Sequence, residues 1–138
     1  MPEIFRTSRR VEFADTDMAG IVHFANFFRF MEAAEVEFLR ARGLSVKITW
    51  EGESLGFPRV AASCDFVEPA RFEDLLDVTV RVARIGRKSV TYAFEFTRNG
   101  TPIAHGQVTS ACCRIAPDRK LEAVEIPNSM RAILERAV

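Results

Sequence analysis

One segment with helical periodicity, residues 25–42, precedes a series of strand-like segments, and this order constrains the fold more than any other feature of the chain. On a wheel of about 100° per residue, the segment has one long apolar stripe and a second, shorter one. The long stripe comprises Phe27, Phe30, Met31, Ala34, Phe38 and Ala41, and the short one comprises Phe28, Val36 and Leu39. A surface helix needs only one apolar face, so we expect this helix to be covered on more than one side.

The strand-like segments predict the rest of the fold. They are Ile4 to Phe13, Val60 to Val67, Leu75 to Ile85, Ser89 to Arg98 and Ile103 to Ile115. Asn99-Gly100 is a strong hairpin signal between the last two. Together they predict an α+β fold, with one long central helix wrapped by a curved antiparallel β-sheet of about five strands.

The positions of glycine and proline complete this prediction. Gly43 is a natural helix stop, and Pro127 is suited to open a short final helix that runs to about Ala137. The segment 44–57 contains two glycines without a clear period, which predicts a loop or short helix. We expect a single domain over residues 1–138.

Composition excludes several classes of function. Nineteen basic residues balance 19 acidic ones, so no overall charge favours nucleic acid or an anionic membrane. The N-terminal segment lacks an apolar stretch typical of a signal peptide, and no apolar run is long enough to span a bilayer. The cysteines Cys64, Cys112 and Cys113 are expected to be reduced and buried, which favours a cytoplasmic protein.

The segment between the first strand and the helix carries the clearest functional signal. It reads VEFADTDMAGIVHF and places Asp15 and Asp17 directly before a helix N-terminus, where unpaired N–H groups favour negative charge. The start resembles a calcium loop, but Ala19 and Asn26 replace two required ligands. From the residues alone, two interpretations stay open: a structural turn, or a carboxylate that works beside an anion-binding helix end.

The remaining motifs are weaker. His23 and His105 are too few for a zinc site, and the sequence has no serine nucleophile motif. The stretch 86–89 (GRKS) resembles the end of a phosphate-binding loop but lacks the required first glycine and lies between two strands. It is either a solvated hairpin turn or a cationic site for ligand phosphates.

Together, the run from Arg10 to Val22, the following Phe24-Ala25-Asn26-Phe27, the Glu32-containing helix and the GRKS turn resemble the 4-hydroxybenzoyl-CoA thioesterase branch of the hot-dog fold. The similarity extends to the closing Glu125-Ile126-Pro127. The resemblance implies an acyl-CoA thioesterase that forms homodimers or homotetramers, with active sites at the subunit interface. It implies neither a metal nor a cofactor beyond the CoA of the substrate.

The same resemblance implies roles for individual residues. Asp17 corresponds to the catalytic carboxylate, as nucleophile or general base, and the backbone N–H of Phe24 to the oxyanion donor. CoA phosphates would be held by Arg87 and Lys88, with Ser89 beside them. Candidates for the acyl pocket are His23, Phe57, Pro58 and Arg59.

The acyl group is less constrained than the reaction. The resemblance favours an aromatic acyl-CoA of the 4-hydroxybenzoyl type, and a short-to-medium aliphatic acyl-CoA is the alternative. A non-catalytic acyl-CoA-binding module would retain the fold but has no need of Asp17. A hydratase would require an Asp/His dyad in a different context, and the spacing from Asp17 to His23 does not match it.

Overall fold

The computed structural model describes residues 4–137, which form two antiparallel sheets and two α-helices. The elements are β1 (Phe5–Arg10), α1 (Asn26–Ala41), β2 (Lys47–Trp50), β3 (Glu53–Gly56), β4 (Arg59–Phe66), β5 (Leu75–Ile85), β6 (Ser89–Arg98), β7 (Thr101–Ala111), β8 (Cys113–Ile115), β9 (Leu121–Ala123) and α2 (Asn128–Glu135). The five-stranded sheet has the order β1-β5-β6-β7-β4, and the four-stranded sheet has the order β2-β3-β8-β9. The predicted α+β class is confirmed.

The core lies between α1 and the inner face of the five-stranded sheet. Strand β6 alternates as its sequence requires, and every second residue from Val90 to Phe96 is buried. Rings from the helix meet rings from this strand edge-to-face: Phe27 lies 5.4 Å from Phe96, and Phe38 lies 5.6 Å from Tyr92. Each such buried ring contributes roughly 1.5–3 kcal/mol by leaving water, so these contacts fix the helix on the sheet.

Helix α1 ends as the glycine predicts. Gly43 has φ +73°, and its N–H donates to the carbonyl of Arg40. The N–H of the buried Leu44 donates to the carbonyl of Leu39, which completes a Schellman motif. A side chain larger than glycine would be strained at this position.

The helix is less enclosed than its two stripes predict. Ala41 of the long stripe is exposed, and Phe28 and Val36 of the short stripe are only half-buried. Phe28 lies on the side of α1 that looks toward β4, the edge strand of the large sheet. Within one chain, this side of the helix is therefore only partly covered.

Three predicted elements differ from the structure. The segment expected to be a loop or short helix contains the β2–β3 hairpin, whose turn uses Glu51 and Gly52 with φ of 51° and 81°. The last predicted strand is interrupted at Cys112, where the chain passes from the large sheet to the small one. The first predicted strand runs to Phe13, but the observed strand stops at Arg10, and Phe13 is 77% exposed in a 3-10 turn.

The three cysteines are free thiols. Cys112 and Cys113 are both buried, and Cys64 on β4 is half-buried. Burial raises the pKa of Cys64, with a contribution from neighbouring Asp65, and that of Cys112, each to about 11. Among residues 4–137, no helix has the length and apolar character needed to cross a membrane.

Candidate active site

The loop between β1 and α1 is held from the inside by Asp15. This residue is only 7% exposed, and its Oδ2 accepts a hydrogen bond from the Glu12 N–H at 2.8 Å. Its carbonyl oxygen accepts from the His23 N–H at 2.9 Å and from Asn26 Nδ2 at 2.8 Å. Asp15 therefore ties the start of the loop to the start of α1, which agrees with a structural role for the first aspartate.

Asp17 lies at the tip of the same loop and is half-buried. Its Oδ1 accepts from the Ala19 N–H at 2.8 Å, while Gly20, with φ +78°, closes the turn by donating to the Asp17 carbonyl. No partner within residues 4–137 bonds the other carboxylate oxygen. One oxygen is thus fixed by the backbone, and the second is available to a ligand.

The start of α1 supplies a hydrogen-bond donor. The N–H groups of Asn26, Phe27 and Phe28 donate to carbonyl groups three residues earlier, but within residues 4–137 the Phe24 N–H has no acceptor. It precedes the helix at its positive dipole end. An unpaired donor at this position is suited to bind an oxyanion.

His23 lies directly before the turn that leads into α1. Its Nδ1 accepts from the Ala25 N–H at 3.2 Å, and its ring stacks on Phe24 with centroids 4.8 Å apart. It is not among the residues that line the cleft described next. Within one chain its visible contacts are those of a residue that caps the helix start.

Asp17 and Phe24 border one open cleft of about 470 Å³. Phe27 and Phe66 form an aromatic wall, with ring centroids 5.5 Å apart. The cleft also contains Glu68, which follows β4 and has no predicted role. No local motif marks Glu68 or Phe66, because they reach the cleft only through the pairing of β4 with β7.

The basic turn lies between β5 and β6, at the opposite end of the sheet from the cleft. Its backbone is anchored, since the Arg87 carbonyl accepts from the Ile126 N–H and the Lys88 carbonyl from the Cys112 N–H. The side chains of Arg87 and Lys88 are exposed, and Ser89 begins β6 half-buried.

Acidic and basic neighbours modify this turn. Arg87 forms an exposed ion pair with Glu125. The hydrogen bond and the opposite charge of the partner raise the pKa of Arg87 and lower the pKa of Glu125. Arg131 donates to the Gly86 carbonyl at 2.8 Å, adding a third basic group that the sequence did not reveal. The turn can therefore offer cations to a phosphate, although Arg87 must first be shared with Glu125.

The predicted acyl-pocket segment lies away from the Asp17 cleft of the same chain. Phe57 is buried against Leu39 and Tyr92 in the core, and the Pro58 carbonyl accepts from the Ala111 N–H at 3.0 Å. Arg59 donates to Glu35 at 2.9 Å, at the far end of β4 from Phe66. One chain alone does not bring these three residues to Asp17.

Asp17 and Phe24 thus line one cleft at the N-terminal end of α1, within an α+β fold, and a carboxylate beside an N–H donor is the combination that acyl-group hydrolysis requires. Residues 11–134 match the model of the thioesterase-like superfamily. The chain belongs to that family.

Individual relatives agree with this assignment. The chain is 32% identical over 131 residues to a 1,4-dihydroxy-2-naphthoyl-CoA hydrolase of Nostoc punctiforme, covering 95% of this chain and 86% of that protein. It is 27% identical over 123 residues to an acyl-CoA thioesterase of Haemophilus influenzae, covering 89% and 88%. The crystal structure of a 1,4-dihydroxy-2-naphthoyl-CoA thioesterase from Synechocystis has a TM-score of 0.82 at 26% identity, with 96% of each chain covered.

These matches confirm the predicted hot-dog fold and the predicted enzyme class, a thioesterase. The roles of individual residues and the acyl group remain predictions. Among the described residues there is no group of three or more His, Cys, Asp or Glu side chains arranged to hold a metal ion.

Proposed function

We propose that this thioesterase hydrolyses an acyl-CoA to a free carboxylic acid and CoA, with Asp17 as the acting carboxylate and the Phe24 N–H as the oxyanion donor. One observation carries the proposal: Asp17, with one free carboxylate oxygen, and Phe24, with an unpaired N–H among the described residues, line the same cleft. Thioester hydrolysis needs a nucleophile or base on one side of the carbonyl and a donor for the developing negative charge on its oxygen.

The donor contributes through preorganisation. As the carbonyl carbon becomes tetrahedral, its oxygen gains charge, and the Phe24 N–H together with the helix dipole would stabilise that charge. One such donor is worth about 2.7–4 kcal/mol in related chemistry. Because the donor is a backbone group, Phe24→Ala should retain it and lose only the contribution of the ring to the cleft.

Asp17 has two possible routes. As nucleophile, its free oxygen attacks the carbonyl carbon, the C–S bond breaks, CoA leaves as thiolate and takes a proton, and water then hydrolyses the anhydride. As general base, Asp17 accepts a proton from water while the water oxygen attacks, and the same C–S bond breaks. Turnover in ¹⁸O-labelled water followed by mass spectrometry tests the nucleophilic route, since attack of water on the Asp17 carbonyl of the anhydride places label in the peptide containing Asp17, and the general-base route places none there.

We propose an aromatic acyl group as the substrate class. Three phenylalanines, Phe24, Phe27 and Phe66, line the cleft, and aromatic rings favour stacked or edge-to-face partners. The relatives named for naphthoyl-CoA hydrolysis support this choice. An aliphatic preference in a panel of acyl-CoAs would favour the alternative.

We further propose that the enzyme is a homo-oligomer in which one acyl-CoA lies across two subunits. Strand β4 is an edge strand: within residues 4–137 it pairs only with β7, and its residues are almost all exposed. Within one chain, the cleft and the Arg87–Lys88 turn lie at opposite ends of β5, roughly 30 Å apart. Antiparallel pairing of β4 with its copy would bring Arg87 of the partner subunit to the end that holds Asp17. Light scattering that shows an active monomer would contradict this arrangement.

The central experiment measures CoA thiol release from benzoyl-CoA, 2-naphthoyl-CoA, butyryl-CoA and decanoyl-CoA. We expect turnover of at least the aromatic members, and Asp17→Asn should lower kcat by about 10²–10⁴-fold. Binding of CoA, measured by calorimetry, should change little in this variant.

Asp118→Asn is the matched control, because Asp118 Oδ1 also accepts a backbone N–H two residues later but lies far from the cleft. It should retain wild-type turnover. A wild-type protein that binds acyl-CoA without thiol release would make the chain a binding module, and near-normal turnover by Asp17→Asn would remove Asp17 from its role.

A further inference from the structure

The Asp17 cleft contains a second carboxylate that the proposed mechanism does not use. Glu68 lines the cleft and is exposed, and its side chain makes no hydrogen bond or ion pair within residues 4–137. Apart from these two acids, the residues that line the cleft are all apolar. Within the described part of one chain, Glu68 is therefore the only cleft residue besides Asp17 that can take a proton from water.

The backbone around Glu68 is fixed, although its side chain is exposed. The Glu68 N–H donates to the carbonyl of Ile103 at 3.1 Å, and the following Pro69 disfavours helical conformations of Glu68. Two residues further on, the Ala70 carbonyl accepts from the Val22 N–H at 2.8 Å. Because Val22 belongs to the loop between β1 and α1, this bond joins the two segments that carry the carboxylates of the cleft.

The cleft has room for water beside an acyl group. Its volume is about 470 Å³, whereas a water molecule takes roughly 30 Å³. A general base acts on a proton within hydrogen-bond reach, directly or through one water. Glu68 thus needs to contact the attacking water, and it does not need to contact the acyl ring.

The nucleophilic route creates a need for a second base. Once Asp17 has attacked the thioester, its free oxygen is part of the anhydride and can no longer accept a proton from water. A positioned general base contributes about 10²–10⁴-fold to such a step. Acylation leaves Glu68 as the only carboxylate among the cleft residues of the described chain. The group that remains is the one that the second step requires.

The first step gives no reason for a carboxylate at this position. A second negative charge in an apolar cleft repels the developing oxyanion and the departing thiolate. For thioester cleavage alone, a neutral residue would serve better than Glu68. On the general-base route Asp17 itself accepts the proton, so that route has no use for Glu68 either.

We propose that Glu68 is the general base for hydrolysis of the Asp17 anhydride. One oxygen of Glu68 accepts a proton from water while the water oxygen bonds to a carbonyl carbon of the anhydride. The bond from that carbon to the bridging oxygen breaks, which yields the Asp17 carboxylate and the free acid, and the protons pass to solvent. This inference rests on the proposed thioesterase function, and it assigns the nucleophilic route to Asp17.

The first experiment separates the two steps in time. Glu68→Gln keeps the size of the side chain but removes the base, so it should leave thioester cleavage intact and slow the hydrolysis of the anhydride. In stopped-flow measurements with benzoyl-CoA, we expect a burst of about one CoA thiol per site, at a rate no lower than the wild-type kcat. The steady-state rate that follows should be about 10²–10⁴-fold below wild type.

Glu95→Gln is the matched control for this experiment. Glu95 is also an exposed glutamate, but it lies on β6 between the buried Phe94 and Phe96, on the outer face of the sheet. This variant should retain wild-type turnover without a new burst. Because both glutamates are exposed, both variants should keep the wild-type free energy of unfolding, which urea denaturation measures.

The second experiment identifies the species that accumulates. Acid-quenched Glu68→Gln should carry the mass of the benzoyl group on the peptide that contains Asp17, and the double variant with Asp17→Asn should carry none. Hydroxylamine, a stronger nucleophile than water, should release the acyl group as a hydroxamate. It should raise the steady-state rate of Glu68→Gln more than that of wild type, after subtraction of the reaction without enzyme. Glu68→Asp retains a carboxylate and should recover part of the second step.

The outcomes separate this inference from the proposed function. If the wild type releases thiol but Glu68→Gln shows normal turnover, a raised KM alone, or equal slowing of the burst and the steady state, Glu68 is not the base, and the thioesterase stands. The same conclusion follows if no acyl group is found on the Asp17 peptide, because the general-base route forms no anhydride. Absence of thiol release from every acyl-CoA tested would instead overturn the proposed function, and this inference with it.

Discussion

The two ends of the five-stranded sheet carry the two halves of the proposed site, and they are built differently. At the cleft end, a backbone N–H bonds the acting side chain itself, since the Ala19 N–H donates to Asp17 Oδ1, and the N–H groups of Asp17 and Val22 donate to the carbonyls of Ile21 and Ala70. At the other end, hydrogen bonds hold the backbone of the basic turn, but the side chains of Arg87 and Lys88 extend into solvent.

The difference follows from what each end has to do. Bond cleavage depends on positions accurate to a fraction of an ångström, so a carboxylate and an N–H donor benefit from a rigid, internally bonded loop. A phosphate spreads its charge over several oxygens, so flexible cationic side chains can bind it in more than one arrangement. The cleft end is therefore expected to respond to changes in geometry, and the basic end to changes in charge.

The largest effect on stability in this comparison is expected for Asp15→Ala. Removing the carboxylate frees the Glu12 N–H and loosens the loop that positions Asp17. We expect a loss of about 1–2 kcal/mol in the free energy of unfolding and a drop in kcat of about tenfold or more. Urea denaturation and thiol-release kinetics measure the two quantities. Asp17→Ala should abolish turnover with little change in stability, and the reverse pattern would contradict the assignment of the two aspartates.

A smaller effect is expected at the basic end, for the double variant Arg87→Met, Lys88→Met. We expect KM for an acyl-CoA to rise about tenfold with kcat unchanged, because the cations contribute to binding in the ground state and the transition state alike. The corresponding S-acyl-N-acetylcysteamine, which has no phosphates, should react equally well with variant and wild type. The exposed pair Arg119→Met, Lys120→Met is the matched control, and an equal rise in KM there would indicate a general charge effect.

A still smaller and opposite effect is expected for Glu125→Gln. This change releases Arg87 from its ion pair, so KM should fall by about two- to threefold at low ionic strength and return to the wild-type value at high salt. Glu122→Gln is the control: it removes the same charge, but the native Glu122 pairs with Arg114 and not with Arg87. An equal fall in KM for both variants would show that net charge, and not the release of Arg87, is responsible.

The smallest expected effect concerns pH and the cleft end. Partial burial raises the pKa of Asp74, but hydrogen bonds from the Arg71 N–H and from Arg98, with the charge of Arg98, outweigh it and lower the pKa. A carboxyl whose pKa is lowered by folding adds stability above its unfolded pKa of about 4, and this is lost as the pH falls through the folded pKa. The difference in unfolding free energy between wild type and Asp74→Asn should therefore be constant from pH 7 to 5 and shrink below pH 4. A constant difference down to pH 2 would contradict this linkage.

Much of the fold can be predicted from the sequence, wherever a local pattern of apolar residues or a glycine reports directly on burial or on backbone conformation. The apolar stripe of α1, the stop at Gly43 and the alternation of β6 are all local, and the structure confirms them. The β2–β3 hairpin escapes prediction because its turn places Glu51 at positive φ, where asparagine, aspartate or glycine is the usual signal. The break at Cys112 has no local signal, since it reflects a change of sheet.

The candidate site shows the same division between features set by local sequence and features set by distant contacts. The loop with Asp15 and Asp17, the helix start and the basic turn are each contiguous in sequence, so local patterns are enough to predict them. Glu68, Phe66 and the Glu35–Arg59 pair cannot be predicted in this way, because each reaches its place through contacts between distant segments. The exposure of Phe13 likewise cannot be predicted, because alternation alone does not show where a strand ends and a turn begins.

The bridges that hold the Asp17 loop also set the order in which a growing chain can assemble. Ile21 bridges to Arg71, and the Val22 N–H donates to the Ala70 carbonyl, so the loop gains these partners only after β4 has been synthesised. The basic turn depends on Ile126, still later in the chain. On the ribosome, the segment that carries the proposed catalytic carboxylate is thus made before these partners and fixed only after much of the scaffold has emerged. A nascent chain that ends before Arg71 contains Asp17 without the partners that shape its loop.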